Sequence, residues 1–134
     1  MRIAVIAVSE QPSAALAEMA KAVEREFVGQ GHQCEGFRQP ESRLSFFDFL
    51  VVCAEPRGWG ASFGNSIRQT FAGCSLTGKR AMALLRKKGF RPQKALSNLM
   101  NEMEKEGMVV PMGDVVATSI QAREAARNAP LIRG

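Results

Sequence analysis

FDFLVVCAEPRGWG, residues 47–60, is the stretch around which the other elements fall into place. From Phe49 to Ala54 there is no charge, and β-branched and aromatic residues dominate, as a strand covered on both faces by helices requires. Glu55, Pro56 and the Gly58/Gly60 pair then stop the ladder, since proline has no amide donor and glycine favours turns. In an open parallel sheet, ligands bind beyond the carboxyl ends of such strands. Trp59, the one tryptophan, therefore stands where a ligand wall is needed, with capping of the core as its alternative role.

Upstream, Arg2–Val8 is a second short Val/Ile run that ends at Ser9, Gln11 and Pro12, and it predicts a buried first strand. Leu16, Met19, Ala20, Val23 and Phe27 recur at helical spacing behind a Ser13 cap, and Gly29 and Gly31 supply the stop. His32–Arg38 alternates weakly, as an edge strand does. Gln39–Ser45 is too short for a helix of normal length. Downstream, Ser62 or Asn65 caps a helix to about Ala72 whose apolar stripe is Ile67 and Phe71. LTGK, residues 76–79, turns into a strand over Arg80–Leu85, which Gly89 breaks. Pro92 opens a helix with Leu96, Leu99, Met100 and Met103 on its buried face, stopped by Gly107. Met108–Val110 begins a last strand, interrupted by Pro111 and Gly113 and resumed at Val115–Ala117. Thr118 and Gln121 form a capping box for a final helix to Asn128. Strands alternating with amphipathic helices predict an α/β fold: a parallel sheet with helices on both faces.

The 134 residues, 46% of them apolar, suit one domain over 1–134 with a core of ordinary size. No apolar run approaches the roughly 20 residues that span a bilayer, and MRIAVIAVSE lacks the features of a signal peptide, so a cytoplasmic location is expected. Cys34, Cys53 and Cys74 are isolated and odd in number. They offer neither a disulfide framework nor a CxxC pattern and are expected as small buried hydrophobes. His32 is the single histidine, which removes His-pair metal sites and leaves a structural role. No GxSxG elbow, HExxH motif or phosphate loop ending in Gly-Lys-Ser/Thr is present. The net charge of +5 and pI near 9.6 favour acidic or anionic partners. Nucleic acid ranks below these, because the basic residues are not interleaved with stacking aromatics.

Over essentially its whole length the chain resembles the flavodoxin-like family. The opening strand and helix, DFLVV with its Trp59-Gly60 loop, LTGKRAMALL and the helix before EGMVV carry the resemblance. It implies a three-layer sandwich around a five-stranded parallel sheet of order 2-1-3-4-5, with FMN in the crevice between the first and third strands, in an electron carrier or FMN-dependent oxidoreductase. By the same resemblance Ser9, Gln11, Ser13 and Ala14 would meet the phosphate. Pro56, Arg57, Gly58, Trp59, Gly60, Lys88 and Phe90 would surround the ring, Trp59 and Phe90 as opposite walls; no catalytic or metal residue is implied. RQPESRLSF, residues 38–46, lacks the helix the family places there.

The loop Ser9-Glu10-Gln11-Pro12-Ser13-Ala14 keeps two hydroxyls but has no glycine, and Pro12 removes an amide. Glu10 adds a charge near the expected dianion, worth roughly 4 kcal/mol of repulsion at about 4 Å with an effective dielectric near 20. That loop motivates a second expectation: a flavodoxin-like scaffold without flavin that binds another anion or an acidic protein. Arg57, Arg86, Lys87, Lys88, Arg91 and Lys94 gather at the edge beyond the third and fourth strands. They suit an acidic redox protein or an anionic small molecule. Lys79 and Arg80 belong to the opposite edge.

Overall fold

The computed structural model describes residues 1–39 and 41–131; Pro40, within RQPESRLSF, and the last three positions of the expected 1–134 domain lie outside the described residues. Five strands, β1 (Arg2–Val8), β2 (Gln33–Phe37), β3 (Phe49–Ala54), β4 (Arg80–Arg86) and β5 (Val109–Val116), form one parallel sheet in the order β2-β1-β3-β4-β5. Of the four helices, α1 (Ala14–Gly29), α2 (Ser66–Phe71) and α3 (Pro92–Lys105) supply crossovers, and α4 (Ser119–Arg127) follows β5.

The strand pleat divides the core into two layers, because successive side chains point to opposite faces. Ile3, Val5, Phe49, Val51, Cys53, Met82 and Leu84 pack under α1 and α4, against Leu16, Val23, Phe27 and Ala122. Ala4, Ile6, Leu50, Val52, Ala83 and Leu85 face α2 and α3, against Ile67, Phe71, Leu99 and Met103. Every residue of β3 is buried. α1 starts on Ser13, whose Oγ accepts from the Leu16 amide at 3.1 Å. It ends where Gly31, at φ +89°, turns the chain back and the His32 amide reaches the Phe27 carbonyl at 3.1 Å. Glu26 clamps α1 to α4 through Arg127 at 3.2 Å and Arg123 at 3.5 Å. The Gln30 amide, and after it the Arg127 charge, hold its carboxyl below the ordinary Glu range despite burial.

Four expectations change. β5 is continuous: the chain absorbs Pro111 as a bulge, with Arg80 opposite Val109 but Met82 opposite Met112. Gly113 is a seat for α3, since a Cβ there would lie 3.1 Å from Leu96 Cδ1. Leu96 and Met100 are accordingly half-buried on β5, while Ala95, Leu99 and Met103 form the buried face. A 3-10 helix at Ser42–Phe46, capped by Glu41, occupies the connection read as helix-free, and buries Leu44. Cys34 and Cys74 are half-buried rather than buried, the Cys74 Sγ donating to the Glu41 carbonyl at 3.4 Å, whereas Cys53 is buried as expected. Burial pushes the Cys34 and Cys53 thiols up to about 12, so neither is a nucleophile at neutral pH. His32 is structural, its Nδ1 3.2 Å from the amino-terminal nitrogen and its ring edge-on to Phe27.

Candidate functional site

The chain leaves β1 for β2 on one side and reaches β4 and β5 from β3 on the other. Crossovers that diverge in this way leave a crevice beyond the carboxyl ends of the two central strands. A cavity of about 310 Å3 lies there, lined by Ser9, Glu10, Gln11, Glu55, Pro56, Arg57, Gly58 and Lys88. Two adjoining hollows, of about 480 and 430 Å3, extend it towards β2 past Ser13 and Ala14 on one side and Ser66 and Thr70 on the other, with Arg38 at both. Of the residues expected at a site, Ser9, Gln11, Pro56, Arg57, Gly58 and Lys88 therefore share one cavity. Ser13 and Ala14 sit in the adjoining hollow, while Trp59, Gly60 and Phe90 do not line any of these three hollows.

The loop after β1 satisfies itself. Ser9 Oγ donates to the Gln11 carbonyl at 2.6 Å, and Ser13 Oγ is occupied as the α1 cap. No residue from 9 to 13 has a positive φ, so the loop does not form the left-handed turn of a glycine-built anion nest. The amides of Ala14 and Ala15 still open α1, where a helix leaves its first donors without intrahelical partners. The Glu10 carboxylate is engaged across the crevice: its Oε2 lies 3.1 Å from Arg57 Nε, and its Oε1 occupies the space a Cβ at Gly64 would need. That pair ties the loop after β1 to the loop after β3.

At the other end, Trp59 and Phe90 are 68% and 83% exposed. Such exposure removes the role of core cap for Trp59. The rings pack on each other, centroids 5.9 Å apart and tilted by 33°. Placing a flat ring between two aromatics needs about 7 Å, twice a van der Waals contact, so the two expected opposite walls form here a closed pair. Backbone holds their loops together: the Phe90 amide donates to the Trp59 carbonyl at 3.1 Å. Gly89, at φ +82°, is required at this approach, since a Cβ would come within 2.8 Å of the Trp59 carbonyl carbon. Asn98 of α3 adds a bond to the Ala61 carbonyl at 3.0 Å.

Two of the six basic residues expected at this edge are neutralised, Arg57 by Glu10 and Arg86 by buried Glu55. Glu55 and Arg38 were not picked out as site residues from the sequence. A carboxylate at the last turn of a buried strand is a signal that a cation must meet it, because an unpaired buried charge is costly. Arg38, in an edge segment, carries no such signal.

No family model matches the sequence, and no curated protein matches it. Solved structures do. Oxidised flavodoxin 1 from Bacillus cereus is similar at a TM-score of 0.69 and 15% identity, with 94% of each chain covered. A cysteine mutant of the Pseudomonas aeruginosa flavodoxin reaches 0.72 at 13% identity, over 96% of this chain and 95% of that one. A flavodoxin from the domain Archaea reaches 0.66 at 12% identity, over 96% and 92%. The chain has a flavodoxin-like fold.

Proposed function

We propose that this chain binds FMN in the crevice beyond β1 and β3 and serves as an electron-transfer module. The observation that carries this reading is the coincidence, at one sheet edge, of a cavity shared by the loops after β1 and β3 with a pair of solvent-exposed aromatics next to it. The residues fit the group at both ends. Opening the Trp59–Phe90 pair to admit a flat ring forfeits about 1 kcal/mol of ring contact, which two new stacking faces outweigh. At the other end the first amides of α1 and the Ser13 hydroxyl hydrogen remain to meet a phosphate, in the field of a helix of 16 residues. Glu10, the residue opposed to that dianion, is drawn off by Arg57.

When bound, FMN supplies the one- and two-electron chemistry. The chain's part is to place and tune it. Trp59 and Phe90 would hold the ring at the rim, open to a partner; Lys88, in no ion pair among the described residues, would set positive charge at the cavity and favour a reduced, anionic ring. Pro56, Gly58 and Gly60 keep the wall of the loop small, and Ser9 and Gln11 brace the floor through their mutual hydrogen bond.

A second reading, a flavodoxin-like scaffold that takes a different anion, is favoured by the glycine-free loop and by two carboxylates, Glu10 and Glu55, lining the same cavity. Titration with FMN, followed by quenching of flavin fluorescence and by the visible spectrum of the protein as purified, separates the two. The expected outcome is uptake of one FMN, weakened about tenfold or more in Trp59→Ala, the loss of one stacking face. A colourless protein that takes up no FMN removes the flavin reading and leaves the second.

A further inference from the structure

From residue 56 to residue 101 the chain carries nine Lys and Arg and no Asp or Glu. The remaining residues hold the other nine basic side chains and all thirteen acidic ones, a net of −4. The positive charge of the molecule thus comes from the segment that runs from the loop after β3 into the middle of α3. Within it, Arg57 and Arg86 are paired, but among the described residues no ion pair engages Lys87, Lys88, Arg91 or Lys94. These four lie within four positions of Phe90 in sequence, so they flank the exposed Trp59–Phe90 pair.

Their placement does not serve the fold. Arg91 is the N-cap of α3 yet makes no side-chain cap bond, and Lys94 stands in the first turn, which holds no acidic residue. Arginine is a poor N-cap, and cations at a helix N-terminus oppose its dipole. A helix left with the wrong cap and the wrong charge is explained by something outside the helix. Exposed Trp and Phe beside a run of cations in no ion pair among the described residues have the composition of a protein contact: aromatic and Arg anchors at the centre, charge at the rim for steering.

We propose that the face formed by Trp59, Phe90, Lys87, Lys88, Arg91 and Lys94 docks an acidic surface of a redox protein, which approaches the ring edge directly. The contact is small and electrostatically steered, of the size and kind that transient electron-transfer partners use. The purpose of the contact rests on the flavin reading; the surface itself does not, and the test is made without flavin.

Trp59 is the sole tryptophan, so its fluorescence reports on the middle of the face. Poly-L-glutamate titrated into the flavin-free full chain is expected to shift that emission, with an affinity that falls as salt rises through the range where the Debye length shrinks below about 10 Å. The double change Arg91→Glu and Lys94→Glu should weaken binding about tenfold, while Lys21→Glu with Arg25→Glu, the same charge change on α1, should weaken it less than about twofold. The first pair should not lower the thermal midpoint, because acidic residues suit a helix N-terminus. Equal weakening in the two double variants would mean net charge alone and overturns the proposal. Tighter binding of a single-stranded oligonucleotide of matched charge, dependent on Arg91 and Lys94, overturns it in favour of nucleic acid. If poly-L-glutamate binds as expected and FMN does not, the flavin reading falls and the docking face stands.

Discussion

At the β1 end of the crevice the loop is turned in on itself, while at the β3 and β4 end two loops are held by each other. Ser9 donates its hydroxyl hydrogen two residues on, and the Ser13 oxygen accepts from an amide three residues on. Trp59 and Phe90, by contrast, are joined through a backbone hydrogen bond and a glycine contact across the sheet edge, and leave their side chains in solvent. The first end is a local structure that a helix cap stabilises; the second is a tertiary structure that depends on strand register. A change at the second should cost more, and be felt further away, than a change at the first.

Gly89→Ala is the largest break available to that contrast. It combines a backbone at φ +82° with a Cβ driven into the Trp59 carbonyl, where no flexible side chain can yield. About 3 kcal/mol of stability is expected to go. Urea denaturation measures it, and Trp59 emission should change in the native state as the two rings part. A loss below about 0.5 kcal/mol would show that the loops are not held together by this approach. Ser13→Ala, at the other end, removes one cap bond from α1 and is expected to cost about 1 kcal/mol with no change in Trp59 emission.

The same contrast explains what was legible in the sequence. β3 and β1 were legible because burial on both faces permits only apolar residues, and the alternation with helices indicated a parallel sheet; the strand order came from the family resemblance. The α1 cap was legible because it is local: Ser13 and Leu16 are three apart. Long-range pairings were not. Glu10 read as a bare charge because its partner Arg57 lies beyond two further strands, and Trp59 and Phe90 read as separate walls because nothing local says that they touch. β5 was misjudged because an edge strand tolerates Pro111 at a bulge, which a central strand would not. Glu55 was passed over because its counter-charge, Arg86, comes from the next strand.

Glu10→Gln makes the smallest change and sharpens the comparison most, since among the described residues this is the side chain that links the two ends by charge. Arg57 is largely exposed and Glu10 about a third exposed, so the pair is a surface one and its loss should move stability by no more than about 0.5 kcal/mol. Its effect on FMN works through two steps of the same sign. The amide removes a negative charge from the cavity, and it frees the Arg57 guanidinium to face an anion. FMN affinity should therefore rise about threefold to tenfold in about 0.1 M salt and by less at higher salt, where exposed charges are screened. An unchanged affinity would place the phosphate wholly on the Ser13 side, outside the reach of Glu10. A weaker affinity would mean that the ion pair itself shapes the crevice, so that the loop after β1 owes its form to the loop after β3 and the two ends are not independent.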